Sequence, residues 1–232
     1  MYFPTLPAGV VLRADTPSTF LWFCFFCWRV IIPVMRLSFV VSAFDRPVFL
    51  RGCLSSLLVQ QGGPYEIIVT DNSEYGNAVP AAVCMALQPR PAETLQFRGV
   101  RTNHIEPCTC YSAANHAVKD ATGDFLCFPS EDSYYVPSFA RIMLAKADEG
   151  FDLVYCDMLD TRLWPEYRVF STAPLTGSID KTGFIIRKDF FDRIGGFPGD
   201  LMHPFTDGHL VDLAVKSGAK IGKAPGVLLV HN

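Results

Sequence analysis

The sequence lacks the two glycine-rich signatures that identify many nucleotide-binding loops. No Gly-x-Gly-x-x-Gly occurs between the first predicted strand and its helix, and no Gly-x-x-x-x-Gly-Lys occurs anywhere. A dinucleotide fingerprint and a phosphate loop of the P-loop type are therefore excluded. Any nucleotide that binds this chain must be held in another way.

The sequence also has no excess of basic residues and no internal repeat. The 232 residues have a formal net charge of -3 and a pI near 5.9, which argues against a nucleic-acid binder. The 17 glycines and 17 prolines follow no period, so collagen-like and low-complexity structures are excluded. Half of the residues are apolar, which is enough for a large folded core.

A long uninterrupted hydrophobic run is missing as well. Residues 20–35 are nearly all apolar, but Arg29 and Pro33 interrupt them, and a membrane-spanning helix needs about 20 such residues. The basic start and cleavage site of a signal peptide are not evident. We therefore predict a hydrophobic extension over 1–34 and a single domain over 35–232. The extension is either an anchor that contacts the membrane surface or an artefact of the assigned start.

The eight cysteines do not form a metal-binding pattern. Cys24-x-x-Cys27 lies inside an aromatic run, and Cys108-x-Cys110 has the wrong spacing for a usual zinc site. The other cysteines fall on apolar faces, where a thiol acts as a small hydrophobic group. These features favour a reducing compartment, and we expect a cytoplasmic protein, with membrane association through residues 20–35 as an open alternative.

The chain opens with a strand–helix–strand unit. An apolar run over 37–42 predicts the first strand, and 65–70 predicts the second. Between them, Asp45 is expected to cap a helix that has Pro47 in its first turn and leucines at three- and four-residue spacing. Such a unit makes a right-handed crossover between parallel strands, so Asp71 should lie at the carboxyl edge of the sheet.

Strands and helices continue to alternate along the chain, which predicts an α/β fold. Thr109 or Ser112 is expected to cap one of the helices, and a looser pattern is expected over 157–174. The other predicted strands cover 95–99, 124–128, 153–156, 182–186 and 226–230, and the other predicted helices cover 78–87, 114–121, 137–147, 188–194 and the residues that follow Asp207.

Two adjacent carboxylates, Glu131 and Asp132, follow the buried strand that Pro129 ends. In open α/β sheets ligands bind at the carboxyl ends of the strands. Like charges held close together repel each other but suit a divalent cation. The segment is therefore either a cation site or an ordinary acidic turn exposed to solvent.

Taken in order, these segments resemble the inverting nucleotide-sugar glycosyltransferases of family 2. The resemblance covers residues 36–231 and implies a GT-A type three-layer α/β/α sandwich with a mixed, mostly parallel central sheet. The segments that carry the resemblance are 43–47 (AFDRP), 66–73 (EIIVTDNS), Ala114-Asn115, 123–124, 130–137 (SEDSYYVP), 179–183 (IDKTG), 187–189, 194–197 (IGGF) and Asp207.

The resemblance also implies roles for individual residues at the donor nucleotide. Asp71 would accept a hydrogen bond from the ring N–H of a uracil, and the backbone around Ala43 and Phe44 would pack against the base and ribose. Asn72 and Glu131 belong to the same implied nucleotide-binding group. The alternative role for Asp71 is that of an ordinary turn residue after a strand.

For the reaction itself, the resemblance implies that Asp132 binds Mg²⁺ or Mn²⁺, with His231 as a further ligand. Asp207 would be the general base, although the sequence alone describes it as a helix cap. The positive end of its helix is expected to lower the pKa of Asp207. Many members have aspartate where this chain has Ser130, so the contacts of Glu131 stay open between ribose, metal and solvent.

The predicted reaction is metal-dependent transfer of a sugar from a UDP-sugar to a hydroxyl of a glycan, lipid-linked or protein acceptor. No cluster of lysines is evident near the site, so the metal is expected to neutralise most of the leaving diphosphate's charge. Two alternatives stay open. One is a nucleotidyltransferase, and the other is a non-catalytic nucleotide- or sugar-binding module in which Ser130 marks a decayed metal site.

Overall fold

A computed structural model describes residues 36–73, 97–106, 108–161, 165–170, 179–198 and 206–232. The predicted extension over 1–34 and the predicted helix over 78–87 lie outside these ranges. In the described part of the chain, no helix is long and apolar enough to cross a membrane. Its five cysteines, Cys53, Cys108, Cys110, Cys127 and Cys156, are free thiols.

Nine strands of the described residues form one mixed sheet. They are β1 (Leu37–Ala43), β2 (Tyr65–Asp71), β3 (Phe97–His104), β4 (Phe125–Cys127), β5 (Ser133–Tyr135), β6 (Leu153–Asp160), β7 (Arg168–Phe170), β8 (Phe184–Arg187) and β9 (Ile221–His231). Their order is β3-β2-β1-β4-β8-β6-β9-β5, with β7 paired to β6. All strands except β5, β7 and β8 run in the same direction, so the sheet is mostly parallel, as predicted.

Five α-helices of the described residues cover the two faces of this sheet: α1 (Pro47–Leu57), α2 (Cys110–Val118), α3 (Phe139–Ala147), α4 (Lys188–Arg193) and α5 (Thr206–Lys216). Successive side chains of a strand point to opposite faces. Accordingly, Phe39 and Val41 of β1 pack with α1 and α3, whereas Val40 packs with α2, α4 and α5. The predicted three-layer α/β/α sandwich is confirmed.

The start of α1 differs from the prediction. Asp45 does not cap the helix; its backbone has a positive φ of 52°, and Arg46 occupies the N-cap position without a side-chain capping bond. The reason is a competing interaction, because the Arg46 guanidinium binds Glu131 and Asp132 on the loop after β4. Pro47 begins the helix as predicted.

Two other boundaries also differ. Helix α3 begins at Phe139, because Pro137 lies in a turn whose carbonyl accepts a hydrogen bond from the Gln61 N–H. Strand β6 continues to Asp160 through the segment expected to be loose. Asp157 and Asp160 interrupt the apolar pattern, so the sequence did not predict this part of the strand. Asp160 is nevertheless buried and forms an ion pair with Arg168 of β7.

Candidate active site

The carboxyl ends of β1, β2 and β4 meet at one edge of the sheet. Ala43 and Asp71, the last residues of β1 and β2, are register partners. An isolated parallel bridge joins Ser42 to Ser130, which places the loop after β4 beside β1. This edge is where ligands bind in parallel α/β sheets.

A cavity of about 350 Å³ opens at this edge. The Phe44 side chain is half exposed there, which leaves an aromatic surface available to a ligand. The cavity is lined by Ser42, Phe44, Arg46, Asn72, Cys108, Cys110, Ser130, Glu131 and Lys181. This lining combines apolar, neutral polar and charged groups, as expected for a site that binds a small polar molecule.

Asp71 and Asn72 form the β2 side of the site. Asp71 Oδ1 accepts hydrogen bonds from the Ser73 N–H at 3.0 Å and the Ser73 hydroxyl at 2.5 Å. Asp71 Oδ2 is buried and has no hydrogen-bond partner among the described residues; the nearest ring nitrogen, His104 Nδ1, is 4.0 Å away. Asn72 donates to the Cys108 carbonyl at 2.7 Å, while its own Oδ1 is buried and lacks a described partner.

Glu131 fixes the loop between β1 and α1. Its Oε2 accepts from the Phe44 N–H at 3.0 Å, and its Oε1 accepts from Arg46 Nε at 2.5 Å. Burial raises the pKa of Glu131, although the bonds from Phe44 and Arg46 act in the opposite direction. The structure thus places both oxygens of Glu131 against the protein itself.

Asp132, His231 and Asp180 form a charged row behind that loop. Asp132 Oδ2 accepts from Arg46 Nη1 at 2.9 Å, and Asp132 Oδ1 lies 3.4 Å from His231 Nε2. The other ring nitrogen of His231 lies 3.0 Å from Asp180 Oδ2. Burial acts to lower the pKa of His231, but the two carboxylates outweigh it and raise the pKa to about 9. The imidazole is therefore protonated at neutral pH.

The same contacts act on the two carboxylates. Burial acts to raise the pKa of Asp132, but contacts with His231 and Arg46 lower it below its ordinary value. For Asp180, burial is again opposed by His231 and by the Thr182 N–H and hydroxyl, and its pKa lies well below the usual range. Both groups are ionised at neutral pH.

Asp207 lies in the first turn of α5, as predicted. Its Oδ2 accepts from the Lys181 backbone N–H at 2.9 Å, whereas its Oδ1 is buried and has no hydrogen-bond partner in the described part of the chain. Burial raises the pKa of Asp207, and the charge of Asp180 adds to this, while Lys181 and Tyr111 oppose it. The direction is opposite to the one expected from the helix position alone, because burial outweighs the helix end.

Sequence reasoning missed Lys181 as a site residue. Its side chain is only 6% exposed, and its ammonium donates to Ser130 Oγ at 3.0 Å and lies 3.4 Å from the Phe128 carbonyl. Together with Arg46 it brings two cations to a site where no lysine cluster was evident. The available signal is the Asp-Lys-Thr-Gly segment at 180–183, which carries a lysine within the family resemblance.

The structure connects the predicted site residues through a few short contacts. Asp132 reaches Asp207 through His231, Asp180 and the Lys181 backbone. Asp71 pairs with Ala43, and its neighbour Asn72 lines the cavity, whereas Asp71, Asp132 and Asp207 are not among the lining residues. Asp71 and Asp207 each keep one buried oxygen without a hydrogen-bond partner among the described residues, and the corresponding oxygen of Asp132 faces the protonated His231. His209 is exposed on α5 and borders a different depression, with Ile194 and Leu213.

A divalent cation would find two ligand atoms here. Asp132 Oδ1 and His231 Nε2 are neighbours, and carboxylate oxygen is the ligand type that Mg²⁺ and Mn²⁺ prefer. Among the described residues, no group of three or more His, Cys, Asp or Glu side chains is arranged to hold a metal. A cation held by Asp132 and His231 would displace the proton that the imidazole carries at neutral pH, and its remaining ligands would come from a bound molecule.

Comparison with known proteins gives a consistent assignment. Residues 38–168 match the family model described as glycosyl transferase family 2. Over 193 residues the chain is 27% identical to the uncharacterized glycosyltransferase YwdF of Bacillus subtilis, covering 75% of this chain and 65% of that protein.

Solved structures share the fold at low identity. The crystal structure of S. aureus TarS 1-349 has a TM-score of 0.70 at 17% identity, with 85% of this chain and 60% of that chain covered. TarS 1-349 in complex with UDP-GlcNAc has a TM-score of 0.67 at 18% identity, with 84% and 58% covered.

The mannosyltransferase PcManGT of Pyrobaculum calidifontis, in complex with GDP-Man and Mn²⁺, has a TM-score of 0.60 at 19% identity, with 84% and 56% covered. The chain thus spans about two thirds or less of the length of these relatives. The family model, the relative and the shared α/β architecture agree with the sequence resemblance: the chain belongs to glycosyl transferase family 2 and has the GT-A fold.

Proposed function

We propose that this domain transfers a sugar from a UDP-sugar to an acceptor hydroxyl with inversion at the anomeric carbon. The observation that supports it best is the pair of buried oxygens on Asp71 and Asp207 that lack hydrogen-bond partners among the described residues. Each such group costs about 1–3 kcal/mol when it is left unsatisfied. Both are explained if a ligand supplies the missing partners.

The donor's base is assigned to the β2 side of the cavity. Asp71 Oδ2 is an acceptor without a described donor, and N3–H of uracil is such a donor. The half-exposed Phe44 ring offers a face for the base or ribose. TarS has been crystallised with UDP and with UDP-GlcNAc, which supports a nucleotide-sugar donor for this chain.

The diphosphate is assigned to the loop after β4. Asp132 and His231 would hold Mg²⁺ or Mn²⁺, and the Mn²⁺ in the PcManGT complex supports this choice. When bound, the cation supplies Lewis-acid neutralisation of the charge that develops on the departing diphosphate. Glu131 positions Phe44 and Arg46 rather than the metal, because both of its oxygens contact those two residues.

The transfer step is assigned to Asp207. As the acceptor oxygen bonds to the anomeric carbon, its proton passes to the free oxygen of Asp207. The bond from that carbon to the phosphate oxygen breaks, and its electron pair leaves with the nucleoside diphosphate. A raised pKa makes Asp207 a stronger base than a free aspartate, and burial is the cause of the increase.

The test is a thermal-shift screen of the purified chain with UDP, GDP, CDP and dTDP, with and without Mn²⁺. We expect UDP to raise the melting temperature and Mn²⁺ to enlarge that shift. Asp132→Asn should remain folded and lose the Mn²⁺-dependent part, whereas Asp148→Asn, an exposed aspartate paired with Arg36, should keep it. No shift with any diphosphate would contradict the proposal and favour a non-catalytic module.

The acceptor, the cytoplasmic location and membrane contact through residues 20–35 are proposed from the sequence alone. A glycan, a lipid-linked glycan and a protein remain the candidate acceptors.

A further inference from the structure

Lys181 has no part in the reaction steps above, although it is a buried cation that lines the donor cavity. Its ammonium contacts two neutral oxygens, the Ser130 hydroxyl and the Phe128 carbonyl. Within the described ranges no carboxylate forms an ion pair with it. Asp207 attracts this charge without forming an ion pair with it. A buried charge that no carboxylate contacts directly is costly, so a purely structural role would be served better by an apolar side chain.

The neighbouring acids are already engaged elsewhere. Asp180 contacts His231 and Thr182, and Asp207 accepts from the backbone N–H of Lys181 rather than from its ammonium. The other cation that lines the cavity, Arg46, is bound to Glu131 and Asp132. Of the two, Lys181 is the cation whose charge no described carboxylate neutralises at close range.

Ser130 explains how that charge is kept available. The hydroxyl of Ser130 accepts from the Lys181 ammonium at 3.0 Å without adding a charge. An aspartate at the same position would stand within ion-pair distance of the ammonium and neutralise it. With serine rather than aspartate at position 130, the positive charge of Lys181 stays available to attract an anionic ligand.

We infer that Lys181 binds the diphosphate of the donor and stabilises it as a leaving group, a role that rests on the function proposed above. The ammonium donates a charge-assisted hydrogen bond to a phosphate oxygen and transfers no proton. When the bond between the anomeric carbon and the phosphate oxygen breaks, the electron pair on that oxygen is held by a fixed positive charge. A metal held by Asp132 and His231 would then supply only part of the neutralisation.

The experiment compares the binding of UDP with that of uridine, which has the same base and ribose but no phosphate. Dissociation constants are measured by calorimetry in EDTA and again with Mn²⁺, for the unmodified chain and for Lys181→Met. We expect UDP to bind about 10- to 100-fold more weakly to the variant in EDTA. Uridine should bind with unchanged affinity.

The matched control is Lys216→Met, which removes a lysine that is exposed on α5 and paired with Asp212. It should leave the affinities for both ligands unchanged. Lys181→Gln keeps a hydrogen-bond donor for Ser130 while removing the charge, and it should weaken UDP selectively as Lys181→Met does. The melting temperature of either Lys181 variant should stay within about 4 °C of the unmodified chain.

An unchanged ratio of UDP to uridine affinity in the Lys181 variants would overturn the inference. So would the failure of both variants to fold, since that result would make the lysine structural. If the unmodified chain binds neither UDP nor uridine, the proposed function itself fails. Weaker UDP binding with intact uridine binding separates the phosphate role from both of these outcomes.

Discussion

Strand β2 has a buried acid near each of its ends, and the two are used differently. Glu66 and Asp71 are both 3% exposed. Glu66 Oε1 accepts from the Ser38 hydroxyl at 2.7 Å and from the Thr122 N–H at 2.7 Å, and Glu66 Oε2 contacts Arg101. Asp71 instead leaves Oδ2 without a hydrogen-bond partner among the described residues.

The difference separates an acid that stabilises the fold from acids available to a ligand. At the amino end of the strand, protein donors fill the acceptor sites of the carboxylate, which compensates its burial. At the carboxyl end, Asp71 retains an oxygen without a described hydrogen-bond partner, as Asp207 does in the first turn of α5. Burial is common to both ends; what marks the site is the incomplete set of partners.

The largest expected effect comes from Asp207→Asn. Its amide oxygen can still accept from the Lys181 N–H, so the fold should persist, but the base is lost. General-base catalysis contributes about 10²- to 10⁴-fold, so release of UDP from a panel of UDP-sugars should slow by roughly that factor. UDP affinity should not change. The control is Asp212→Asn, an exposed change on the same helix, which should retain full activity. Equal losses of activity in both variants would show that Asp207 is not the general base.

The charged row at the carboxyl end should make stability depend on pH. His231 has a pKa of about 9 in the fold, above its ordinary 6.5. Its contribution is therefore complete below about pH 6.5 and is lost as the pH rises through about 9. In EDTA, the free energy of unfolding from urea titrations should decrease by on the order of 3 kcal/mol between pH 6.5 and 9.5.

His231→Gln should have a much flatter profile over the same interval, because neither Asp132 nor Asp180 would then face a titrating cation. An equally steep decline in that variant would show that another group causes it.

A smaller effect is expected at the base. In Asp71→Asn the amide oxygen can keep both Ser73 contacts, which turns an NH₂ group toward the position of Oδ2. That group cannot accept from uracil N3–H but can donate to cytosine N3. UDP affinity should fall about 10-fold, and CDP should gain relative to UDP. Calorimetry with both nucleotides measures the ratio, and an unchanged preference would count against a base contact.

The smallest effect on ligands is expected at the other end of the strand. In Glu66→Gln the NH₂ group of the amide would face one of the donors that now bond to the carboxylate. The free energy of unfolding should therefore decrease by about 1–3 kcal/mol. UDP affinity and the UDP-to-CDP ratio should be unchanged. This variant is the control for Asp71→Asn, since both convert a buried acid of β2 to its amide. A change in nucleotide preference in Glu66→Gln would contradict the different roles assigned to Glu66 and Asp71.

The sequence predicted the first strand, helix and second strand well, because their signals are local. Leucine spacing and Pro47 locate α1, and apolar runs locate β1 and β2. The end of the second strand then predicts the position of Asp71, and the family resemblance predicts metal-binding roles for Asp132 and His231. The placement of these residues depends on short segments that can be read one at a time.

The cationic side of the site could not be predicted in the same way. Arg46 meets Glu131 across 85 residues of sequence, and Lys181 meets Ser130 across 51. The first contact depends on β1 pairing parallel to β4, and the second depends on β8 pairing antiparallel to both β4 and β6. No local pattern specifies either pairing. The raised pKa of Asp207 was missed for a related reason, since burial is a property of the assembled fold.

The adjacent positions of β1 and β2 in the sheet also divide the site along the chain. Phe44 and Asp71, which are assigned to the base and ribose, lie within 43–72, whereas the groups assigned to the diphosphate and the transfer step lie within 132–231. Exchange of the first segment between relatives would therefore change the preferred base while leaving the diphosphate-binding and catalytic groups intact. In this architecture the choice of nucleotide base can diverge without a change in the transfer chemistry.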